Sequence, residues 1–566
     1  MNANLRCNNL HCLELREISE RVLRNEISVL EVIDYFIQRI ERMDTTVHAV
    51  CVKLFDQARE QASEMDNFIS RERQFAQQQK QHEWNESAWI EKMLSAKPLL
   101  GIPFTVKESI HVKSTPTTSG LTTLKHVLSD HDSILVTRFK ESGAILIGKT
   151  NVPQMLCGDF SENPVYGRTC NPFNRERSSG GSSSGEGAVI AYGGSILGIG
   201  SDIGGSIRLP SAHCGVYGLK PTSGRLTMHG HFVLYEGMES VQCQMGPMAR
   251  RVSSLITSMK VLTQYPYDDY SSGFSHEALR IPPVELRDPN LVDISKLRIA
   301  VFYDNEILSI SKSCERALNE TVHALKEMGA HVETISLQHL DLYWEWRNYV
   351  KLLMGDGMVE FRSKAQGSQL VDEVKVPYYL SLFPNFVLNF FATLTRWMGQ
   401  TIMGHSFTTF TEISVPQQRQ AVSRRDAFNI KFMKILDEGK FDAVLCPATS
   451  IPAHRHADSS FVIPSMAYAH LFNYLGLPAG VCPITRVREG ENDSVEFSSV
   501  ATQNSKDMTF QYCKKTLQNS AGLPIGVQVA ARYWREDIVL GIMKHIEQYF
   551  ENNEDYPLNH DHTTTQ

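Results

Sequence analysis

The first clear pattern along the chain is an amphipathic helix. Ser28 and Glu31 have the spacing of a capping box. The apolar residues that follow recur at the spacing of one helical face: Val29, Val32, Ile33, Phe36, Ile37 and Ile40. A helix is therefore predicted to begin directly after Ser28. The polar, glutamine-rich residues 70–85 have no such face and predict a solvated helix or an inserted loop.

From residue 98 onward, short apolar runs alternate with amphipathic runs. "PLLGIPFTVKES" predicts a buried strand that ends near Lys107. Further strands are predicted at 144–148, 297–303, near Ala443 and near Val527, and further helices at 132–143, 314–329 and from about Glu536. This alternation predicts an α/β fold with a large mixed, mostly parallel, twisted sheet and helices on both faces.

Composition and charge narrow the class of protein. The 566 residues are 42% hydrophobic and 21% charged, as in a globular protein, and the net charge of −7 gives no reason to expect a nucleic-acid partner. The 11 cysteines form no CxxC pair, which favours reduced thiols over disulfides or a metal site. We see no signal peptide or transmembrane anchor, so the expected location is intracellular, either cytoplasmic or peripherally membrane-associated.

Two short motifs match well-known patterns in the wrong context. "GAILIGKT" (143–150) has the letters of a P-loop, but its variable positions form a strand, and Pro153 stands where a helix should grow. "GSSSG" (181–185) fits a nucleophile elbow, but no buried strand precedes it. Nucleotide binding is therefore not expected, and a Ser-His-Asp hydrolase is a less favoured alternative.

The segment Ser178–Ser211 is rich in glycine and serine without being a linker. It contains the apolar run "AVIAYGGSILGIG", which favours burial, and it carries the charged residues Asp202 and Arg208. Glycines in a buried segment allow tight turns that present backbone N–H groups. The segment therefore predicts a binding or catalytic site.

"GGSSSGEGAVIAYGGSILGIGSDIGGSIRLPS" closely resembles the signature of the amidase signature family of serine hydrolases. "PLLGIPFTVKE", "FDAVLCPAT" and "GLPIGVQVAA" are also similar to conserved parts of that family. The resemblance implies an amidase signature fold in a single domain over 13–550, with an N-terminal helical segment at 13–43 and a signature core at 98–225. Residues 551–566 are expected to form a disordered tail.

The resemblance also implies a Ser-Ser-Lys triad. Ser206 would be the nucleophile, Ser182 a proton relay that follows a cis peptide bond, and Lys107 the base. A lysine base must lose its proton near neutral pH, so burial has to lower its pKa from about 10.4. The amides of residues 203–206 would bind the oxyanion: Ile203, Gly204, Gly205 and Ser206. Asp202 and Arg208 would support the loop, and no cofactor or metal is implied.

Two further features concern the substrate. "YCKKTLQNSAGLPIGVQ" and "FNYLGLPAGVCPIT" resemble the fatty acid amide hydrolase branch of the family, in which Leu156 matches a position that contacts substrate. The apolar, aromatic stretch 376–404 is flanked by Lys375 and carries Arg396, which suits a bilayer interface. It is expected to be a peripheral membrane cap; the alternatives are a buried helix pair for the stretch and ordinary packing for Leu156.

These observations predict hydrolysis of long-chain fatty acid amides, such as N-acylethanolamines or primary fatty amides, through an acyl-enzyme. One alternative is an amidase for short or aryl amides, or a glutamine amidase subunit that needs partner subunits and a polar pocket. A non-enzymatic alternative is a lipid-binding relative, which should lack part of the triad, whereas all three residues are present. The resemblance leaves a homodimer open.

Overall fold

One central sheet forms the middle layer of the protein in a computed structural model that describes residues 9–79, 84–264, 281–282, 284–491 and 507–560. Eleven strands build this sheet. In chain order they are β1 (Val50–Lys53), β2 (Pro103–Lys107), β3 (Ile145–Thr150), β4 (Leu197–Asp202), β5 (Tyr217–Lys220), β6 (Gln244–Ala249), β7 (Arg298–Val301), β8 (His331–Thr334), β9 (Ala443–Pro447), β10 (Ala479–Arg486) and β11 (Pro524–Ala531).

Helices pack on the sheet and extend beyond it. They are α1 (Leu15–Leu23), α2 (Val29–Val47), α3 (Phe55–Gln79), α4 (Glu86–Ala96), α5 (Ile134–Glu141), α6 (Ser184–Ala191), α7 (Arg208–Cys214), α8 (Val252–Leu262), α9 (Lys312–Glu327), α10 (Leu342–Met354), α11 (Val359–Ala365), α12 (Asp372–Leu380), α13 (Asn385–Trp397), α14 (Thr401–Phe407), α15 (Val415–Glu438), α16 (Ala467–Tyr474), α17 (Met508–Leu517) and α18 (Glu536–Phe550). Within the described ranges, none of them has the length and apolar character needed to cross a bilayer.

The helices and strands predicted from the patterns are confirmed. α2 begins after Ser28, whose side chain accepts from the amide of Glu31 in a complete capping box. The glutamine-rich stretch continues α3 as far as Gln79, and residues 80–83 lie outside the described part of the chain. The motif with the letters of a P-loop forms β3, and its Lys149 donates to Pro116 O at 2.6 Å. Lys149 therefore has a structural role, because it binds a backbone carbonyl of the protein itself.

The sheet is mixed, as predicted, but it is not mostly parallel. Its order is β1-β3-β2-β4-β6-β5-β10-β11-β9-β7-β8. Four of the ten neighbouring pairs are parallel and six are antiparallel. The parallel pairs lie towards the two ends, and the middle is antiparallel. The expectation was wrong because a strand buried on both faces has the same apolar pattern in either orientation.

Both faces of the sheet are covered, as predicted. Along β9, Leu445 belongs to one apolar cluster and its neighbour Val444 to another, since successive side chains point to opposite faces. Helices α9 and α18 contribute to the first cluster, and α15 and α16 to the second. The site described below lies at one edge of this covered sheet.

The predicted disordered tail is wrong for residues 551–560. Tyr556 is buried, and its hydroxyl forms a hydrogen bond with the hydroxyl of Tyr217 on β5. Arg250 donates to Leu558 O at 3.2 Å. The polar composition of this segment concealed its aromatic anchor, Tyr556, which acts together with contacts such as those of Arg250 and Arg488. Residues 561–566 lie outside the described chain.

Candidate active site

Two parallel strands bring Lys107 to the signature segment. β2 pairs with β4 in the register Thr105 to Gly198, so the carboxyl ends of both strands lie at the same edge of the sheet. Lys107 is the last residue of β2, and its Nζ donates to Ser201 Oγ on β4 at 3.0 Å. An upstream lysine and the glycine-rich segment, 94 residues apart, are thereby in contact.

Ser182 lies on the other side of the lysine. Lys107 Nζ donates to Ser182 Oγ at 2.7 Å. The Gly181–Ser182 peptide bond is cis, as the family resemblance implied. The next residue, Ser183, donates its amide to Ser206 O at 3.1 Å and so joins the segment before α6 to the loop before α7. The structure thus places Lys107 in contact with Ser182, and Ser206 on a loop that is hydrogen-bonded to the residue after Ser182.

Ser206 and Ser182 face a large cavity of about 1500 Å³. Leu156, Ile203 and Gly204 also line it. The volume exceeds the range of about 300–1,000 Å³ that is usual for small-molecule sites. The site therefore has room for a substrate with a long substituent.

Burial sets the charge of Lys107. Its side chain is fully buried, and desolvation lowers its pKa from 10.5 to about 8, against the opposing influence of Cys243, Asp202 and Glu186. A lysine with this pKa presents a lone pair at mildly alkaline pH. Burial therefore shifts the pKa of Lys107 in the direction that a lysine base requires.

Asp202 and Arg208 hold the loop between β4 and α7. The carboxylate of Asp202 accepts from the amides of Gly205 at 2.8 Å and Ile207 at 3.2 Å, and from Arg208 Nη2 at 3.0 Å. Burial alone would raise the pKa of this carboxyl, but Arg208 and Asn473 hold it well below its usual range. The pair is a buried, charged clamp around the loop that carries Ser206.

Gly205 differs from the expectation for an oxyanion donor. Its amide is used by Asp202, and a Cβ added to it would meet Ala469 and Leu209. With a φ of +90° it needs the backbone freedom of glycine. Gly205 therefore shapes the loop, and the remaining candidate donors are the amides of Ile203, Gly204 and Ser206.

Several polar residues of the site were missed from the sequence. Ser201 Oγ contacts both Lys107 Nζ and, at 2.8 Å, His231 Nε2. Tyr349 donates its hydroxyl to Ile203 O at 3.0 Å, and its ring stacks on His470. Ser201 could have been found, because it is next to Asp202 at the strand end beside Lys107. The others come from distant segments that carry no motif.

The stretch 376–404 forms helices with a large exposed apolar face. α13 buries only Leu388 and Ala392 among its residues, which contradicts the alternative of a buried helix pair. The exposed apolar side chains of this stretch include Val376, Tyr379, Leu382, Phe383, Phe386, Phe390, Phe391, Leu394, Trp397 and Met398. Val376, Pro377 and Leu380 of α12 also line the cavity. The apolar face and the cavity are therefore adjacent.

Comparison with known proteins identifies the chain as an amidase. The family model described as Amidase matches residues 31–540. The chain therefore belongs to the amidase signature family.

Several of the proteins to which the chain is similar are fatty acid amide hydrolases. Fatty acid amide hydrolase 1 of Caenorhabditis elegans is 30% identical over 455 residues, which are 80% of this chain and 76% of the relative. Fatty-acid amide hydrolase 1 of Sus scrofa is 30% identical over 461 residues, with the same shares of 80% and 76%. A solved structure of a fatty acid amide hydrolase superposes with a TM-score of 0.77 at 25% identity, covering 98% of this chain and 86% of the other.

Proposed function

We propose that this amidase hydrolyses long-chain fatty acid amides to a fatty acid and an amine, with Ser206, Ser182 and Lys107 as a catalytic triad. The observation that carries the proposal is the cavity, which extends from Ser206 to the apolar helix α12. The similarity to fatty acid amide hydrolases supports the same substrate class.

The first step uses the hydrogen bond between Lys107 and Ser182. Neutral Lys107 takes the proton of Ser182, which in turn takes the proton of Ser206 as its Oγ attacks the amide carbonyl. The carbonyl oxygen becomes an oxyanion, and the amides of the loop that carries Ser206 stabilise it. A lysine pKa of about 8 suits this role, because the base is partly neutral at working pH.

The second step returns the proton. Charged Lys107 passes it back through Ser182 to the amide nitrogen, the carbon–nitrogen bond breaks, and the amine leaves. An acyl group remains bound to Ser206 Oγ. Water then attacks this ester, with the same residues first accepting and then donating a proton, and the fatty acid is released.

The cavity walls favour an acyl chain over a polar substrate. Apolar side chains on several segments line it: Leu156, Phe160, Leu226, Phe232, Leu234 and Met354. A glutamine side chain would instead require polar partners for both its amide and its charged end. The cavity also has polar residues in its lining, but apolar atoms provide most of the lining surface, which favours a fatty acid amide over the glutamine amidase alternative.

The exposed face of α12 and α13 is proposed to rest on a membrane surface. Phe386 and Trp397 are 74% and 86% exposed, and Arg396 provides positive charge nearby, whereas Lys375 is paired with Asp372 at 2.6 Å. Aromatic and basic side chains together suit the lipid headgroup region. An acyl amide dissolved in the bilayer would then be close to the cavity.

The test compares acyl amides that differ only in chain length. For the wild-type enzyme, kcat/KM should rise from short to long acyl chains, because each buried methylene group contributes about 0.8 kcal/mol. Ser206→Ala should abolish both turnover and labelling by a fluorophosphonate. Ser184→Ala is the matched control, since Ser184 starts α6 and should leave both activities in place.

Two results would refute parts of this proposal. A flat or falling dependence on chain length would favour the alternative of short or aryl amides. Persistent labelling of Ser206→Ala would show that another residue is the nucleophile.

A further inference from the structure

His470 on α16 lies beside the loop that carries Ser206. It is buried, and it lines the cavity together with Gly204 and Ser206. A Cβ added to Gly204 would stand 3.6 Å from His470 Nε2. The ring of Tyr349 stacks on the imidazole with centroids 4.9 Å apart, which fixes the plane of the ring. His470 therefore has a defined orientation next to a candidate oxyanion donor.

A single contact fixes which nitrogen of His470 carries the proton. The indole Nε1 of Trp346 lies 2.9 Å from His470 Nδ1. An indole N–H can only donate, so Nδ1 accepts and the proton of the neutral ring is on Nε2. Among the described residues no partner is bonded to Nε2. This N–H is an unused donor beside Gly204.

The surroundings also keep the ring neutral. The pKa of His470 is lowered from 6.5 to about 4, mainly by burial and then by Arg208, against the opposing influence of Asp202 and Asp159. A neutral imidazole donates through one N–H without carrying a charge through the catalytic cycle. Such a donor can stabilise negative charge that develops on a substrate oxygen.

We propose that the Nε2–H of His470 donates a hydrogen bond to the substrate carbonyl oxygen as it becomes the oxyanion, and that Trp346 is a positioning residue which holds His470 in the required tautomer. The side-chain donor would add to the backbone amides of the loop, from which Gly205 is withdrawn by Asp202. This inference rests on the proposed nucleophile Ser206, because the oxyanion forms on the carbon that Ser206 attacks.

The main test replaces the donor and keeps the ring. His470→Phe can still stack on Tyr349 but has no N–H, and its kcat for a short anilide should fall about 100-fold with little change in KM. Labelling by a fluorophosphonate should slow to a similar degree, since its phosphoryl oxygen occupies the oxyanion position. His470→Gln restores a donor and should recover at least about tenfold of the loss.

A second substitution tests the tautomer. Trp346→Phe removes the indole N–H, so the proton of His470 is shared between both ring nitrogens and kcat should fall about twofold to tenfold. In a His470→Phe background the same change should have no further effect on kcat, because the two residues act as a unit. His323→Phe, an exposed histidine on α9, is the control and should match wild type.

Three outcomes would overturn the inference: a wild-type kcat in folded His470→Phe, a loss confined to KM, or a His470→Gln variant as slow as His470→Phe. If His470→Phe does not fold, as judged by its thermal unfolding midpoint, the two other variants decide. A wild-type kcat in both His470→Gln and Trp346→Phe would then overturn the inference. Failure of the proposed function is distinguishable from these results, because it would appear in proteins with His470 intact: kcat/KM of the wild type would be flat or fall with acyl-chain length, or Ser206→Ala would still be labelled.

Discussion

At the scale of single residues, Lys107 links activity to pH. Its folded pKa of about 8 means that the fraction of neutral amine rises through the mildly alkaline range. We expect kcat/KM of the wild-type enzyme to increase with pH and to level off above a midpoint near 8. A pH–rate profile for a non-ionising anilide measures this directly, and a profile that is flat from pH 6 to 9 would contradict Lys107 as the base.

The same residue should weaken the fold below that pH. Lys107 has a lower pKa folded than unfolded, so the unfolded chain binds more protons between pH 8 and 10.5, and stability rises with pH across that window. Lys107→Met should therefore be inactive yet more stable at pH 7, by about 2 kcal/mol after allowing for the lost hydrogen bonds. Urea denaturation at pH 7 and pH 10 should show the difference shrinking as the pH rises.

Motifs in the sequence identified some residues of the site, and only the structure identified the others. Lys107, Ser182, Ser206, Asp202 and Arg208 were named from motifs, and the structure brings them together. His470 and Trp346 were missed because each is one ordinary residue in an amphipathic helix. Their proposed role can be inferred only from the hydrogen bond between them, which joins residues 124 positions apart.

At the scale of elements, the apolar face of α12 and α13 is the feature most open to test. A triple variant, Phe386→Ser, Phe390→Ser and Trp397→Ser, removes three exposed aromatic rings that do not line the cavity. Its binding to lipid vesicles should weaken at least about tenfold, because each ring contributes apolar burial at the interface. Hydrolysis of a short, water-soluble amide should stay near the wild-type rate.

Vesicle flotation measures the binding. The control is Leu291→Ser, which removes an 82% exposed apolar side chain from a different part of the surface. Equal flotation of the triple variant and the wild type would contradict a membrane role for this face.

Individual elements were well predicted where the apolar pattern was strong. The capping box at Ser28 and the apolar face after it located the start of α2. The same rule failed to tell whether the stretch 376–404 was buried or exposed, because an apolar helix face requires some apolar partner without specifying it.

At the scale of the whole molecule, the C-terminal segment contributes to the core. A chain that ends at Phe550 loses the buried ring of Tyr556 and its contact with Tyr217, and should be destabilised by about 3–5 kcal/mol. A chain that ends at His560 is the matched control and should unfold like the full chain. Thermal unfolding distinguishes the two, and equal midpoints for all three chains would show that this segment adds nothing to the fold.

The sequence by itself determined the class of fold, the places of the long helices and buried strands, and the residues of the signature, since these depend on local periodicity and on motifs within one segment. Tertiary structure decided the directions of the central strands, the ordered conformation of residues 551–560 and the hydrogen bond from the amide of Gly205 to Asp202. It also decided the tautomer of His470. Each of these depends on which distant segment supplies a partner for a buried group, and that choice leaves no local pattern in the chain.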